Sequence, residues 1–196
     1  MGICCFMAII SPRKKKSILV GVDIVDHSDP LLRMRDERAF RLIRHPKDLN
    51  TSPPDDIEKN FWLFWAAKES VFKNHRELKR FDPKIIPIKI NRQQGLYHFQ
   101  SGQVKGTITQ NHDFTFSICT ALPSLDQTYY QYFNLLAQDQ SLKIRELTSR
   151  YLKDTTNSEA KISRDDSGLP IAIINSRLHK LTFTHHHRYM GFICEK

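Results

Sequence analysis

The chain has 196 residues, 40% of them hydrophobic and 26% charged, with 30 Lys+Arg against 21 Asp+Glu and a formal net charge of +9. Such a composition can bury a core, and with 7 Gly and 9 Pro it excludes a collagen-like, low-complexity or disordered chain. No apolar stretch approaches the ~20 residues of a membrane-spanning helix, and the length suits one large domain or two small lobes.

Residues 1–10 are apolar and precede the basic cluster Arg13, Lys14, Lys15 and Lys16. A secretory signal has the reverse order, and Phe6 stands where a myristoylation signal has Ser or Thr. Residues 3–10 are therefore expected as a strand. Cys4, Cys5, Cys119 and Cys194 form no CxxC pair with a His partner, which speaks against a zinc site and fits small buried hydrophobes in a reducing cytoplasm.

Residues 17–25, SILVGVDIV, read as a buried strand. Asp23 is the ionisable residue inside it. A buried carboxylate is costly unless paired or metal-bound, although a strand-end Asp bonded to a loop amide accounts for it equally simply. Residues 29–50 are helical in composition and rich in arginine: Arg33, Arg35, Arg38, Arg41 and Arg44. Pro53-Pro54 breaks that run, and Asp55 or Asp56 then caps a helix extending to about Arg80. On that helix Trp65, Glu69 and Lys73 lie at i, i+4 and i+8 along one face. The plainer reading is an amphipathic helix with a Glu69–Lys73 surface ion pair. Short strands follow at 85–90, 95–99, 102–109 and 114–122, separated by turn signals.

Residues 126–155 read as a second long helix, followed by turns at 165–168 and 175–177 and a final strand over about 181–194. The strands at 113–121 and 180–194 share a Thr-Phe-Ser/Thr core, a repeat that suggests two α+β lobes with a boundary near 123–126. His185, His186 and His187 suggest a metal site at first glance. Strand neighbours point to opposite faces, however, so one His facing a ligand with the others exposed is the better expectation.

Together, Gly21-Val22-Asp23-Ile24, Trp65-Ala66-Ala67-Lys68-Glu69-Ser70-Val71-Phe72-Lys73, and Gly168-Leu169-Pro170 followed by Thr182-Phe183-Thr184-His185 resemble the motifs of the 4'-phosphopantetheinyl transferase superfamily. Those motifs are a Gly-x-Asp strand, a Trp-x-x-Lys-Glu-Ser/Ala-x-x-Lys helix, and Gly-Lys-Pro followed by Ser-x-Ser-His. The resemblance covers residues 17–195. Their order is that of the short holo-acyl-carrier-protein synthase type, while the strands over 85–122 resemble the closing strands of the longer surfactin-synthetase type. The resemblance thus implies an α+β fold of two similar lobes forming a pseudo-dimer within a monomer, with residues 1–125 and 126–196 in circularly permuted order.

The resemblance implies Mg²⁺-dependent transfer of 4'-phosphopantetheine from coenzyme A to a serine of an apo acyl or peptidyl carrier protein, in fatty-acid, polyketide or nonribosomal peptide synthesis. Asp23 and Glu69 are then the metal ligands and Lys68, Glu69 and Lys73 the catalytic residues, with Glu69 or a metal-bound water as base. Coenzyme A is contacted by Lys73, Thr184, His185, Gly168, Pro170 and Arg150, with Lys143 and Arg145 as alternatives to Arg150. Three positions depart from the pattern. Val25 stands where longer members often have a second acid, leaving Asp26 as a substitute. Leu169 replaces the Lys of Gly-Lys-Pro. The acid before the helix has only Asp48 as a match.

Residues 1–123 hold 20 basic and 13 acidic side chains (+7), and residues 124–196 hold 10 and 8 (+2). Carrier proteins are acidic, so the arginines of 33–44 suit either a docking face or a solvated one. A nucleic-acid partner is disfavoured because the aromatics sit in apolar runs and not among the basic residues. A catalytically inactive member that binds coenzyme A or a carrier is the alternative.

Overall fold

Seven consecutive buried residues, Val20–Asp26, form strand β1, and the two faces of that strand organise the molecule. The computed structural model describes residues 20–75 and 78–196. The strand expected over 3–10, Cys4, Cys5 and the basic cluster at 13–16 lie outside the described residues.

The fold is mixed α+β. One antiparallel-dominated sheet has the order β1-β6-β5-β4-β3-β2, with β2 (Leu49–Asn50), β3 (Lys89–Gln93), β4 (Leu96–Ser101), β5 (Val104–Gln110) and β6 (Phe114–Thr120). The other has the order β7-β11-β10-β9-β8, from β7 (Thr128–Asn134), β8 (Ala160–Arg164), β9 (Pro170–Ile174), β10 (Arg177–His186) and β11 (Tyr189–Glu195). Each sheet is packed by its own long helix, α2 (Ile57–Asn74) on the first and α3 (Gln140–Thr156) on the second.

Alternation along β1 explains why it has no exposed side. Val20, Val22 and Ile24 pack with Phe114, Phe116 and Ile118 of β6 and with Tyr189 and Ile193 of β11, forming the core between the sheets. Gly21, Asp23 and Val25 face α2 instead. β1 also runs alongside β10 in the same direction. Thr182 Oγ1 donates to the Val20 carbonyl at 3.1 Å, Thr184 Oγ1 to Asp23 at 3.2 Å, and the Asp26 amide to His186 Nδ1 at 3.0 Å.

Gly21 is where α2 comes closest: a methyl group there would lie 2.0 Å from the Ser70 carbonyl oxygen and 3.0 Å from the Asn74 nitrogen. Both neighbours are backbone and cannot rotate away. Gly21→Ala is expected to cost about 3 kcal/mol or more by overpacking, measured by chemical denaturation. A loss below about 1 kcal/mol would mean that α2 can shift off β1 freely.

Several elements depart from the sequence expectation. The helix expected over 29–50 is only α1 (Glu37–Ile43), capped by Asp36 through the Ala39 amide at 2.8 Å, with Pro46 shortly beyond its end. α2 starts at the Asp56 cap as expected but ends at Asn74, short of Arg80. A 3₁₀ turn over Pro83–Ile85 occupies the start of the strand expected at 85–90. Residues 128–134, expected as helix, are strand β7, whose Thr, Tyr and Phe residues pair with β11 from Thr128↔Glu195 to Asn134↔Tyr189. The final strand is two strands, β10 and β11, joined by a turn at His187 and Arg188.

Candidate active site

The cleft lies where α2, β1 and β10 meet, a cavity of about 490 Å³ lined by Asp23, Trp62, Trp65, Glu69, Lys73 and Thr184 among others. Helical spacing puts Trp62, Trp65, Glu69 and Lys73 on the α2 face that looks into it. β1 contributes Asp23, and β10 contributes Phe183, Thr184 and His185.

Lys73 Nζ is the hub. It donates to Asp23 Oδ1 at 2.9 Å and to Thr184 Oγ1 at 3.3 Å, and pairs with Glu69 Oε1 at 3.1 Å. Asp23 is almost fully buried, whereas the Glu69 side chain is 28% exposed. Asp23 Oδ2 is buried with no hydrogen-bond partner. Two carboxylates therefore share one ammonium. Burial pushes the Asp23 carboxyl up to about 7, against the pull of Lys73 and with the help of Glu69. Burial opposes the Lys73 charge too, but Asp23 and Glu69 outweigh it and raise its pKa. The excess negative charge is thus relieved by a proton on Asp23, while Lys73 keeps its own proton and its positive charge.

The sign of the pH effect follows. A carboxyl with a folded pKa raised from 3.8 to about 7 favours the fold below its unfolded value and loses that contribution as pH rises through about 7. Asp23→Asn keeps an acceptor for Lys73 and Thr184 without the charge. It is expected to melt several degrees above the native protein at about pH 8–9 and close to it near pH 4. Equal melting temperatures at alkaline pH would contradict this.

His185 stands exposed at the cleft, its pKa lowered by desolvation and by the neighbouring Lys73 and His186 charges. The next two histidines are half-buried and engaged, not exposed as expected. His186 accepts from the Asp26 amide and lies 3.5 Å from Asp29, and His187 Nδ1 is 2.8 Å from Asp26 Oδ2. Asp26 does not stand in for the missing second acid. The pleat points it away from Asp23, and its oxygens take Ser28, His187 and Arg188, whose Nε lies at 3.0 Å. Burial opposes its ionisation, but Arg188 and Ser28 hold the carboxyl far below the usual range.

The structure brings together Asp23, Glu69, Lys73, Thr184 and His185, and leaves the other expected residues elsewhere. Lys68 is on another side of α2, fully buried, bonded to Asp48 Oδ2 at 2.8 Å, the Pro83 carbonyl at 2.8 Å and the Ile86 carbonyl at 2.7 Å. A helix turns 100° per residue, so Lys68 and its neighbour Glu69 cannot share a face. Arg150 is exposed on α3 and paired with Glu146, and Lys143 pairs with the same carboxylate. Arg145 lies over the ring of the cleft residue Phe183 at 5.4 Å. Gly168 lies in the β8–β9 turn and Pro170 begins β9, both outside the cleft lining, and Leu169 packs against the core between the sheets. Arg35 and Trp62 line the cleft and were not anticipated. Trp62 was findable, three residues before Trp65 on the same face. Nothing in the local sequence distinguished Arg35 from the other arginines.

A family model for the 4'-phosphopantetheinyl transferase superfamily matches residues 19–122. The match spans just over half of the 196 residues, and the chain belongs to this superfamily, whose members are transferases that move phosphopantetheine. No curated protein and no solved structure matches the chain. The matched span contains Asp23, Glu69 and Lys73, whereas Thr184 and His185 reach the same cleft from outside it.

Proposed function

We propose that the protein transfers 4'-phosphopantetheine from coenzyme A to a serine hydroxyl of an apo carrier protein, releasing 3',5'-ADP. The observation that carries this reading is the meeting, in one cleft, of the family-matched Asp23, Glu69 and Lys73 with Thr184 and His185 from the second sheet. The proposal includes the lobe boundary near 123–126, the permuted lobe order and action as a monomer in the cytoplasm. The side-by-side run of β1 and β10 supports the lobe arrangement. Among the described residues no helix is long and apolar enough to cross a membrane.

The donors fit Mg²⁺. Asp23 offers a buried oxygen without a partner, Glu69 a partly exposed carboxylate, and this ion takes one or two carboxylates with waters and phosphate oxygens. Among the described residues no group of three or more His, Cys, Asp or Glu could hold a metal, so these two carboxylates would be the protein's share. When bound, Mg²⁺ neutralises pyrophosphate charge and polarises its phosphorus–oxygen bonds. Lys73 places its positive charge beside the phosphate oxygens, with His185 and Thr184 next to it. Glu69 accepts the proton that the serine hydroxyl loses as it attacks. The aromatic wall of Trp62, Trp65 and Phe183 excludes water from one side of the reacting groups. Arg33, Arg38 and Arg41 are exposed beside exposed Leu31 and Met34, a surface suited to an acidic carrier.

Incubation with coenzyme A, Mg²⁺ and several apo carriers tests the reading: the carrier gains the mass of the arm. Binding of coenzyme A without transfer to any carrier would leave the inactive-member reading, favoured by apolar Val25 and Leu169 at two positions where the motifs carry charge.

A further inference from the structure

Among the described residues six buried side-chain polar atoms have no partner. Three of the six, Asp23 Oδ2, Arg35 Nε and Trp62 Nε1, belong to residues that line the cleft described above. Asp23 Oδ2 is an acceptor, but Arg35 and Trp62 are donors, and no acceptor among the described residues answers them. A buried donor left unpaired is destabilising, so two on one wall leave a place for an acceptor that a ligand can supply.

Arg35 is well placed to receive it. Its guanidinium carbon lies 5.3 Å from the centre of the Phe61 ring and 5.4 Å from that of Trp62, so the fork rests on an aromatic platform. Its side chain makes no ion pair among the described residues, whereas Lys73 is already shared by Asp23 and Glu69. Arg35 is therefore the uncommitted permanent cation of the cleft lining. A flat guanidinium with its Nε buried and its plane set by two rings favours bidentate binding of phosphate. The chain also has Leu169 where the Gly-Lys-Pro motif has Lys, and neither Leu169 nor Arg150 lines the cleft.

We infer that Arg35, with Trp62 Nε1 as a second donor, holds a phosphate group of the nucleotide substrate in the cleft and supplies the positive charge that Leu169 lacks. The inference rests on the coenzyme A reading above. It sets Arg35 apart from the exposed Arg33, Arg38 and Arg41, which face outward.

The chain's two tryptophans, Trp62 and Trp65, both line the cleft, so intrinsic fluorescence reports its occupancy. Coenzyme A and dephospho-coenzyme A are titrated into the native protein, Arg35→Met and Arg35→Lys, with melting temperatures recorded for each. Met keeps the apolar contact with the rings, and Lys keeps the charge without the fork. Arg35→Met is expected to weaken coenzyme A binding about tenfold or more, with Arg35→Lys between. An equal loss for both ligands assigns the pyrophosphate, and a loss for coenzyme A alone assigns the 3'-phosphate. If either folded variant binds both ligands as tightly as the native protein, the inference falls while the coenzyme A reading stands. If the native protein binds neither ligand, both fall. Binding that depends on Arg35 without transfer to a carrier upholds the inference and overturns only the transferase reading.

Discussion

Lys68→Ala is expected to lose about 3–5 kcal/mol of folding stability, the loss seen when one partner of a buried ion pair is removed. The Lys68 ammonium has three donors and three acceptors at 2.7–2.8 Å: Asp48, Pro83 and Ile86. Burial lowers its pKa, and Asp48 acts against that shift. Asp48 in turn accepts the His45 and Ile88 amides, each at 2.8 Å. The pair therefore ties α2 to the turn before β2 and to the segment entering β3. Truncation leaves a buried carboxylate uncompensated and two carbonyls unsatisfied. Urea denaturation measures the loss, and Lys68→Met combined with Asp48→Asn should recover part of it by removing the stranded charge. If Lys68→Met instead kept its stability and coenzyme A affinity but lost transfer, the catalytic role implied by the helix motif would be restored.

Asp23→Asn and Glu69→Gln are each expected to reduce transfer of the arm by roughly a thousandfold or more, since each removes one of two carboxylates on which several kcal/mol of charge stabilisation depend. Neither should unfold the protein. Asp23→Asn retains an acceptor for Lys73 and Thr184, and Glu69 is partly exposed at the cleft. The appearance of modified carrier by mass spectrometry measures the rate. A native rate in either variant would break the two-carboxylate assignment. Loss of transfer together with higher alkaline stability in Asp23→Asn would show that the charge is kept for chemistry at a cost to the fold.

The α2 face of the cleft was legible because helical periodicity is local: Trp65, Glu69 and Lys73 share a side at any position the helix takes. The same periodicity puts Lys68 on another side, yet adjacency within one motif suggested a shared role. Its partners at Asp48, Pro83 and Ile86 come from segments with no local relation to α2. Strand β7 was misread because its aromatic residues fit a helix face or a strand, and pairing with β11 decided between them.

By itself the sequence determined the family, the buried β1 strand with Asp23 inside it, and the helix face bearing Glu69 and Lys73. All are set by residue order and short periods. The tertiary structure decided which charges are used and where the chain turns. The β10–β11 turn has no Gly, Pro or Asn, and His187 sits at φ 48°. What holds it is Asp26, 161 positions earlier, through His187 and Arg188. Likewise Arg35 is one arginine among many until Phe61 and Trp62 lie beneath it. A buried charge takes its role from the groups that desolvate and pair it, and those groups are assembled only by the fold.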